Sequence, residues 1–398
     1  MATTKVIPGV LDLNESTSES GLKMPSGTEL NRPTAAAGQI RNNTNESSAA
    51  SSSAQEYYSG SAWTKINNVP LPPEFKAKIY TGNANLQSVS GYGFRPDLIW
   101  IKSTDLTYSH FIFNSQIFTL HQGIYYAYQY LQSNNNNAGA EDSALTIITG
   151  AAKLQSFNSD GFSVAVSNDT NQNNIGYFGW GWKVNAGNTS SNTNGSVTST
   201  VQANDDLGIS IVEFTGTGGN NTIGHGLSSA PELILIKSTS VAGDWQVYAE
   251  PIGATKKLIL NLNSAESTTT RFNNTSATST VFSFNDSGIG TNSDFVAYCF
   301  KSVNGNCKIG TYSGTGSSNP ITGLGFSPTW VMIKSTTSAE DWAIFDTARG
   351  ADKFILANTS ATNQSFSGFS FDSDGFTVPG TSGMTNGSGQ TYLYMAFR

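Results

Sequence analysis

The 398-residue chain is poor in charge, in histidine and in cysteine. Charged residues make up 12% of it, about half the usual share of about 25%. A net charge of −7 with no cluster of Lys and Arg argues against nucleic-acid binding, because neutralising a phosphate backbone needs grouped cations. No apolar run reaches about 18 residues and no charged-then-apolar segment follows Met1, so neither membrane insertion nor a secretory signal is expected. The three histidines, His110, His121 and His225, lack metal-ligand spacing, and no phosphate loop or Gly-x-Ser-x-Gly elbow is present. Asp372 and Asp374 alternate as in a calcium loop, but the other ligand positions are missing and turn formation accounts for them. No catalytic residue, cofactor or metal, and no enzyme, is therefore expected. Only Cys299 and Cys307 occur, and a two-residue turn at Asn304-Gly305 would set Cys307 opposite Ser302, which disfavours a disulfide.

What the chain does contain is one stretch written three times. It reads Gly91-Tyr-Gly-Phe-Arg-Pro96-Asp-Leu-Ile-Trp-Ile-Lys102-Ser-Thr, Gly226-Leu-Ser-Ser-Ala-Pro231-Glu-Leu-Ile-Leu-Ile-Lys237-Ser-Thr and Gly323-Leu-Gly-Phe-Ser-Pro328-Thr-Trp-Val-Met-Ile-Lys334-Ser-Thr. Upstream stand Tyr80-Thr-Gly, Phe214-Thr-Gly and Tyr312-Ser-Gly; eight residues past each Lys come His110, Trp245 and Trp342. Each copy closes on an aromatic run ending in a cation, at Lys183, Lys301 and Arg398. Lys237 and Lys334, Trp245 and Trp342, and Lys301 and Arg398 are each 97 apart, whereas the first copy carries an insertion between Phe113 and Phe157. A period near a hundred residues implies an array of like domains that acts by display rather than through one catalytic pocket.

The repeated runs are rich in β-branched and aromatic residues and bounded by Gly, Asn, Asp, Ser and Pro, which is strand punctuation. An apolar stripe at helical spacing occurs only over residues 118–131, so the expected class is all-β, with little helix. Several short strands per copy predict three tandem β-sandwich modules of jelly-roll type. Their expected bounds are 74–184, 207–303 and 304–398, with the last two closely joined. Residues 185–206, nearly all Asn, Ser, Thr and Gly, read as a flexible linker that lets the first module move. Trp100, Trp245, Trp330 and Trp342 are expected in cores. Tyr126, Tyr128 and Tyr130, in the insertion, would share one strand face. Two readings stand for them: contact with a receptor sugar or protein, or edge-strand packing within the module.

Residues 1–73 hold too few large apolar side chains to offset the entropy of ordering them. They should be extended, or ordered only against a partner or copies of themselves. Here Gly21-Leu-Lys-Met-Pro-Ser-Gly-Thr, Arg32-Pro33, Gly38-Gln-Ile-Arg-Asn-Asn-Thr44 and Glu56-Tyr-Tyr-Ser-Gly-Ser-Ala-Trp63 resemble, in that order, a motif of tail fibres and related virion appendages of tailed bacteriophages. The three copies resemble a repeated concanavalin-like (jelly-roll) β-domain of virion proteins in phages of marine bacteria. The third carries Gly325-Phe-Ser-Pro, Asp341-Trp-Ala-Ile-Phe-Asp-Thr-Ala-Arg-Gly350 and Phe371-Asp-Ser-Asp-Gly-Phe376. The resemblance implies a virion structural protein, a tail fibre or appendage serving host attachment through surface polysaccharide or protein. It also implies a homotrimer that contacts other virion proteins through residues 1–73, with Arg32, Ile40, Arg41, Tyr57, Tyr58 and Trp63 as anchoring residues and the third module outermost. The alternative is a capsid-bound decoration or tail adaptor protein that contacts only other virion proteins.

Overall fold

The computed structural model describes residues 74–121, 125–140, 152–380 and 382–398, together with the backbone of four earlier strands. The chain forms two compact units, Met1–Pro72 and Pro73–Arg398. In the first, β1 (Ser26–Gly27) runs parallel to β2 (Ile40–Asn43), which pairs antiparallel with β3 (Ala54–Tyr58), itself paired with β4 (Trp63–Lys65). Four short strands are thus described in this unit. Its strands pair with one another, because a ladder satisfies backbone N–H and C=O groups even where apolar side chains are few.

The second unit writes one strand order three times. The first copy has β5 (Phe75–Thr81), β6 (Gln87–Ser90), β7 (Leu98–Ser103), β8 (Phe111–His121), β9 (Tyr125–Leu131), β10 (Ser156–Asn158), β11 (Gly161–Val164) and β12 (Gly176–Trp182). These form a large sheet β5-β12-β7-β8-β9 and a small one β10-β11-β6. The second copy has β13 (Ser190–Asn192), β14 (Ser199–Asn204), β15 (Ile209–Thr215), β16 (Asn220–Gly224), β17 (Leu233–Ser238), β18 (Gln246–Ala249), β19 (Lys256–Ile259), β20 (Ser267–Thr268), β21 (Val281–Asn285) and β22 (Asp294–Phe300). Its large sheet is β13-β14-β15-β22-β17-β18-β19-β20, its small one β16-β21. The third copy has β23 (Cys307–Ser313), β24 (Asn319–Thr322), β25 (Trp330–Ser335), β26 (Ala343–Asp346), β27 (Lys353–Leu356), β28 (Gln364–Ser365), β29 (Ser370–Asp372), β30 (Gly375–Val378) and β31 (Thr391–Phe397), in sheets β23-β31-β25-β26-β27-β28 and β24-β30-β29. The three Ile-Lys-Ser segments fall on β7, β17 and β25, each beside its copy's closing strand β12, β22 or β31.

One face of each large sheet packs on its own small sheet; in the second copy Phe214, Ile234 and Ile236 meet Phe282 and Phe284. The opposite faces of all three large sheets share a single core. There Leu98, Trp100, Trp180 and Trp182 join Leu233, Leu235, Tyr298 and Phe300, and also Trp330, Met332, Met395 and Phe397. Burial on both faces is why these strands read as unbroken apolar runs. The last aromatic of each closing strand reaches the centre, with Phe397 ring-to-ring 5.9 Å from Trp182 and 6.1 Å from Phe300. The repeats therefore cluster instead of forming a string, which corrects a mobile first module. Trp100, Trp245, Trp330 and Trp342 lie in this shared core.

The linker reading of 185–206 is also corrected. β14 pairs along its length with β15, and Val201 and Gln202 are buried. The buried carboxylate of Asp97 accepts the N–H groups of Val184, Asn185 and Ala186 at 2.8–2.9 Å, and Asn204 Nδ2 donates to Glu74 at 2.9 Å. Composition suggested mobility, but Ser199-Thr-Val-Gln202 has the β-branched residues a half-buried strand needs. The helical stripe at 118–131 is an extension of the β8–β9 hairpin, with a bulge between Phe113 and Phe118. Cys307 pairs with Val303, not Ser302, across the turn. Both cysteines are free and buried, Cys299 in the core of the second copy and Cys307 in the shared core.

Candidate functional site

The recurring polar residues meet at the three seams of the shared core. Trp245 Nε1 of the second copy donates to the Gln132 carbonyl of the first at 2.9 Å. Trp342 Nε1 of the third donates to the Ile259 carbonyl of the second at 3.0 Å. His110 Nε2 of the first donates to the Leu356 carbonyl of the third at 3.0 Å. The histidine tautomer follows from Trp100 Nε1, which donates to Nδ1 at 2.8 Å, and burial holds this imidazole well below its usual pKa. A backbone bond crosses each seam in return: Gly139 N to Thr239 O, Glu266 N to Thr336 O and Asn363 N to Thr104 O, at 2.9, 2.8 and 3.1 Å. Unlike surfaces that close after three members make a heterologous ring, here within one chain.

Each seam residue is held from behind. The side-chain oxygens of Asn134, Asn261 and Asn358 accept the backbone N–H of His110, Trp245 and Trp342. The three lysines of the repeat are buried and aimed at carbonyls. Lys237 Nζ reaches Gly243 O at 2.7 Å and, across the seam, Asn136 O at 3.3 Å; Lys334 Nζ reaches Ser335 O at 2.7 Å and, across its seam, Asn263 O at 3.2 Å. Lys102 stays within its copy, on Ser103 O and Leu106 O. Burial pushes Lys237 and Lys334 down to about 8. Burial, with Arg349 of the third copy adding to it, pushes Lys102 down to about 7. An amine with such a pKa is nucleophilic in an open site, but these three are at most 1% exposed and clamp loops.

A second ring of contacts varies its chemistry in matched sets. Asn114 of the first copy donates to the Tyr298 hydroxyl of the second at 3.0 Å. At the corresponding place Asp346 of the third accepts from Trp180 Nε1 of the first at 3.0 Å and pairs with Arg349 Nε at 2.6 Å, both side chains almost wholly buried. Arg349 lies 4.7 Å from the centre of the Phe178 ring. The third set, Ala249 with Met395, is apolar and belongs to the shared core.

Away from the seams, carboxylates fasten turns. Asp160 accepts the N–H groups of Gly91 and Gly93, which hold it below the usual carboxylate pKa, and Asp374 accepts those of Gly323 and Gly325. In the second copy Asp205 takes over, accepting Ser228 N and pairing with Lys301 at 2.6 Å. Asp372 accepts from Ser370 and Thr377, so the carboxylates of the calcium-like stretch are occupied by protein donors. Between the first two copies a groove of about 340 Å³ runs over Glu213 and Asp294. Burial pushes Glu213 up to about 7.

Of the tyrosine row, Tyr128 packs edge-on against Phe157 at 4.9 Å and Tyr130 against Phe111 at 5.4 Å, so both turn into the first copy; the side chain of Tyr126 lies outside the described residues. Ile40 and Arg41 lie on β2, Tyr57 and Tyr58 on β3 and Trp63 on β4, with Ile40 opposite Tyr57 and Tyr58 opposite Trp63; Arg32 lies outside the described residues. Sequence reasoning missed Asp97, Asp346 and Arg349. The last two stand inside the Asp-Trp-to-Arg-Gly stretch of the third copy, the signal that could have marked them.

No curated protein and no solved structure matches the chain. One family model, Domain of unknown function (DUF7483), matches residues 73–398 as a single stretch that begins where the second compact unit begins. The chain belongs to the DUF7483 family.

Proposed function

We propose that the chain is a structural protein of a phage virion, of tail-fibre or appendage type, that serves host attachment. In this reading three jelly-roll sandwiches, built into one closed head, are displayed by the N-terminal unit. That unit docks on other virion proteins and assembles as a homotrimer, and the head meets host-surface polysaccharide or protein. The observation that carries it is the use of the repeat's reactive side chains: the lysines, His110 and the tryptophans of the pattern are committed to carbonyls at the seams. A rigid head with its recurring polar groups turned inward suits display, and the resemblance of the stretch from Gly21 to Trp63 to the fibre motif supports attachment through the N-terminal unit.

Imaging of purified particles labelled with antibody to residues 73–398 tests this. Label radiating from the tail is expected. Label following capsid symmetry would replace the fibre with the decoration or adaptor protein, and particles without label would overturn both. Sedimentation of the full chain against a chain beginning at Glu74 tests the trimer, which should be lost with the first unit.

A further inference from the structure

We propose that a groove of about 620 Å³ on the second copy binds an anionic polysaccharide, with acid groups seated between Lys257 and Arg271. The volume is in the range of small-ligand sites. Threonine hydroxyls of residues 268–270 and the amides of Asn274 and Asn285 share the lining with the two cations, and no carboxylate does.

The groove lies where the repeat pattern is broken. At the positions of Lys257, Thr269 and Arg271 the third copy, 97 residues on, has Phe354, Phe366 and Gly368. Phe354 and Phe366 are packed ring to ring there at 5.4 Å, and both lie against Phe345. The first copy has Tyr130 at the place of Lys257, again packed on aromatic rings. Two rings have thus been exchanged for a lysine and a threonine and an arginine added, while the surrounding strands keep their register. Packing does not explain this, since the change removes apolar contacts and opens the surface.

The charges are arranged for an anion. Arg271 uses one terminal nitrogen on the carbonyls of Asn285 and Ser287, at 3.0 and 2.7 Å, and its other guanidinium nitrogens make no hydrogen bond among the described residues. Lys257 donates to Gln246 Oε1 at 3.3 Å. Burial and then the neighbouring Arg271 lower its pKa, and Asp244 is the carboxylate that partly offsets them. A guanidinium fork recognises carboxylate, sulfate or phosphate, and the hydroxyl and amide rim suits sugar hydroxyls. The chain as a whole carries −7 and repels a polyanion at long range, so binding should be short-ranged and weakened by salt. The inference names a ligand class for the attachment reading and rests on it for the ligand's biological source.

Calorimetric titration of the full chain, at about 50 and about 300 mM salt, with polygalacturonate, dextran sulfate and neutral dextran decides the matter. Binding of at least one polyanion, weaker at high salt, is expected, with none of dextran. Lys257→Phe, which copies the third repeat, and Arg271→Gln should each weaken it about tenfold or more, Lys257→Phe without lowering the melting temperature. Lys353→Gln, on the third copy, should leave it unchanged. Absence of polyanion binding, equal binding of dextran, or binding that survives both groove substitutions overturns the proposal. Polyanion binding by a chain found on no particle would defeat the virion reading alone, and a particle-borne chain without such binding would defeat the groove alone.

Discussion

The second and third copies have one period and the same strand order, and they differ in two kinds of place. On the outer side the groove of Lys257 and Arg271 replaces the packed rings of Phe354 and Phe366. At the seams the buried pair Asp346–Arg349 stands where the second copy has Ala249 and Ile252, both packed into the shared core. What does not differ is the bracing of Trp245 and Trp342, with an asparagine behind each and a neighbour's carbonyl ahead. The difference teaches that closure fixes backbone geometry and tolerates either polarity, provided the partners change together. That is the behaviour expected of buried ion pairs, which apolar residues of similar volume replace at little cost, whereas removal of one partner strands a charge.

The comparison breaks most completely if the copies can be uncoupled. β31 lies between β23 and β25 and sends Leu393, Met395 and Phe397 into the shared core. Ending the chain at Gln390 should therefore abolish the unfolding transition of the whole Pro73–Arg398 unit and leave all three copies protease-sensitive. A protease-resistant fragment holding the first two copies would show that they fold without the third. The seam sets give a smaller effect. Asp346→Ala should cost about 3–5 kcal/mol in denaturant unfolding, because Arg349 is left charged and buried. Adding Arg349→Ile, the second copy's solution, should recover part of that loss. A double variant as unstable as the sum of the singles would mean that the two copies do not solve the seam interchangeably.

The strands, the three-fold repeat and the equivalence of the Ile-Lys-Ser-Thr segments were legible in the sequence, because turn residues and alternation report local structure. Clustering of the copies was not. Two-sided burial was visible in Trp330-Val-Met-Ile, yet no local pattern says whether the second cover is a sheet of the same copy or a neighbour. The misreading of residues 185–206 has a related cause: Asp97 and Glu74, which fasten that segment, are about ninety or more residues away in sequence. Of the proposed site residues, Tyr128 and Tyr130 were rightly placed on a strand, but the sequence could not tell which way that strand faces. The Lys257 groove was detectable only by comparing copies position by position, since a lone lysine in a strand carries no signal.

The seam lysines sharpen the comparison through pH. Below about pH 7 all three are charged in the folded and the unfolded chain, and the full cost of burying them is present. As pH rises from about 8 towards the ordinary lysine value of about 10.5, the folded chain releases protons that the unfolded chain still holds, so this cost is relieved and stability rises. Burial pushes Lys237 and Lys334 each down to about 8, and the two should contribute alike. Lys334→Met and Lys237→Met should each flatten the pH dependence of unfolding between about pH 8 and 10, by at most about 1.4 kcal/mol per pH unit. Unequal flattening would mean that the two seams do not bury their lysines equally. Comparing each variant with the parent cancels the buried tyrosines and cysteines, whose raised pKa values work in the opposite direction.

The smallest expected effect concerns a hydroxyl present in the first and third copies and absent from the second. Tyr312 stacks on Tyr392 at 5.1 Å and donates to the Thr385 carbonyl at 2.6 Å, and Tyr80 stacks on Tyr177 and donates to Thr170 in the same way. Each carbonyl belongs to a single helical turn, Gly383–Asn386 or Asn168–Asn171. In the second copy the stack is Phe214 on Phe295, at 5.2 Å, and a plain turn stands where the helical one would be. Ring stacking therefore sets the register of the opening and closing strands, and the hydroxyl secures the helical turn. Tyr312→Phe should keep the strands paired and cost about 0.5–1.5 kcal/mol, the usual net worth of one hydrogen bond. Faster amide exchange should be confined to the turn at Thr385 and Asn386. A loss above about 3 kcal/mol, or exchange that spreads into β31, would make the hydroxyl part of the strand framework, and the second copy would then need a compensating contact of its own.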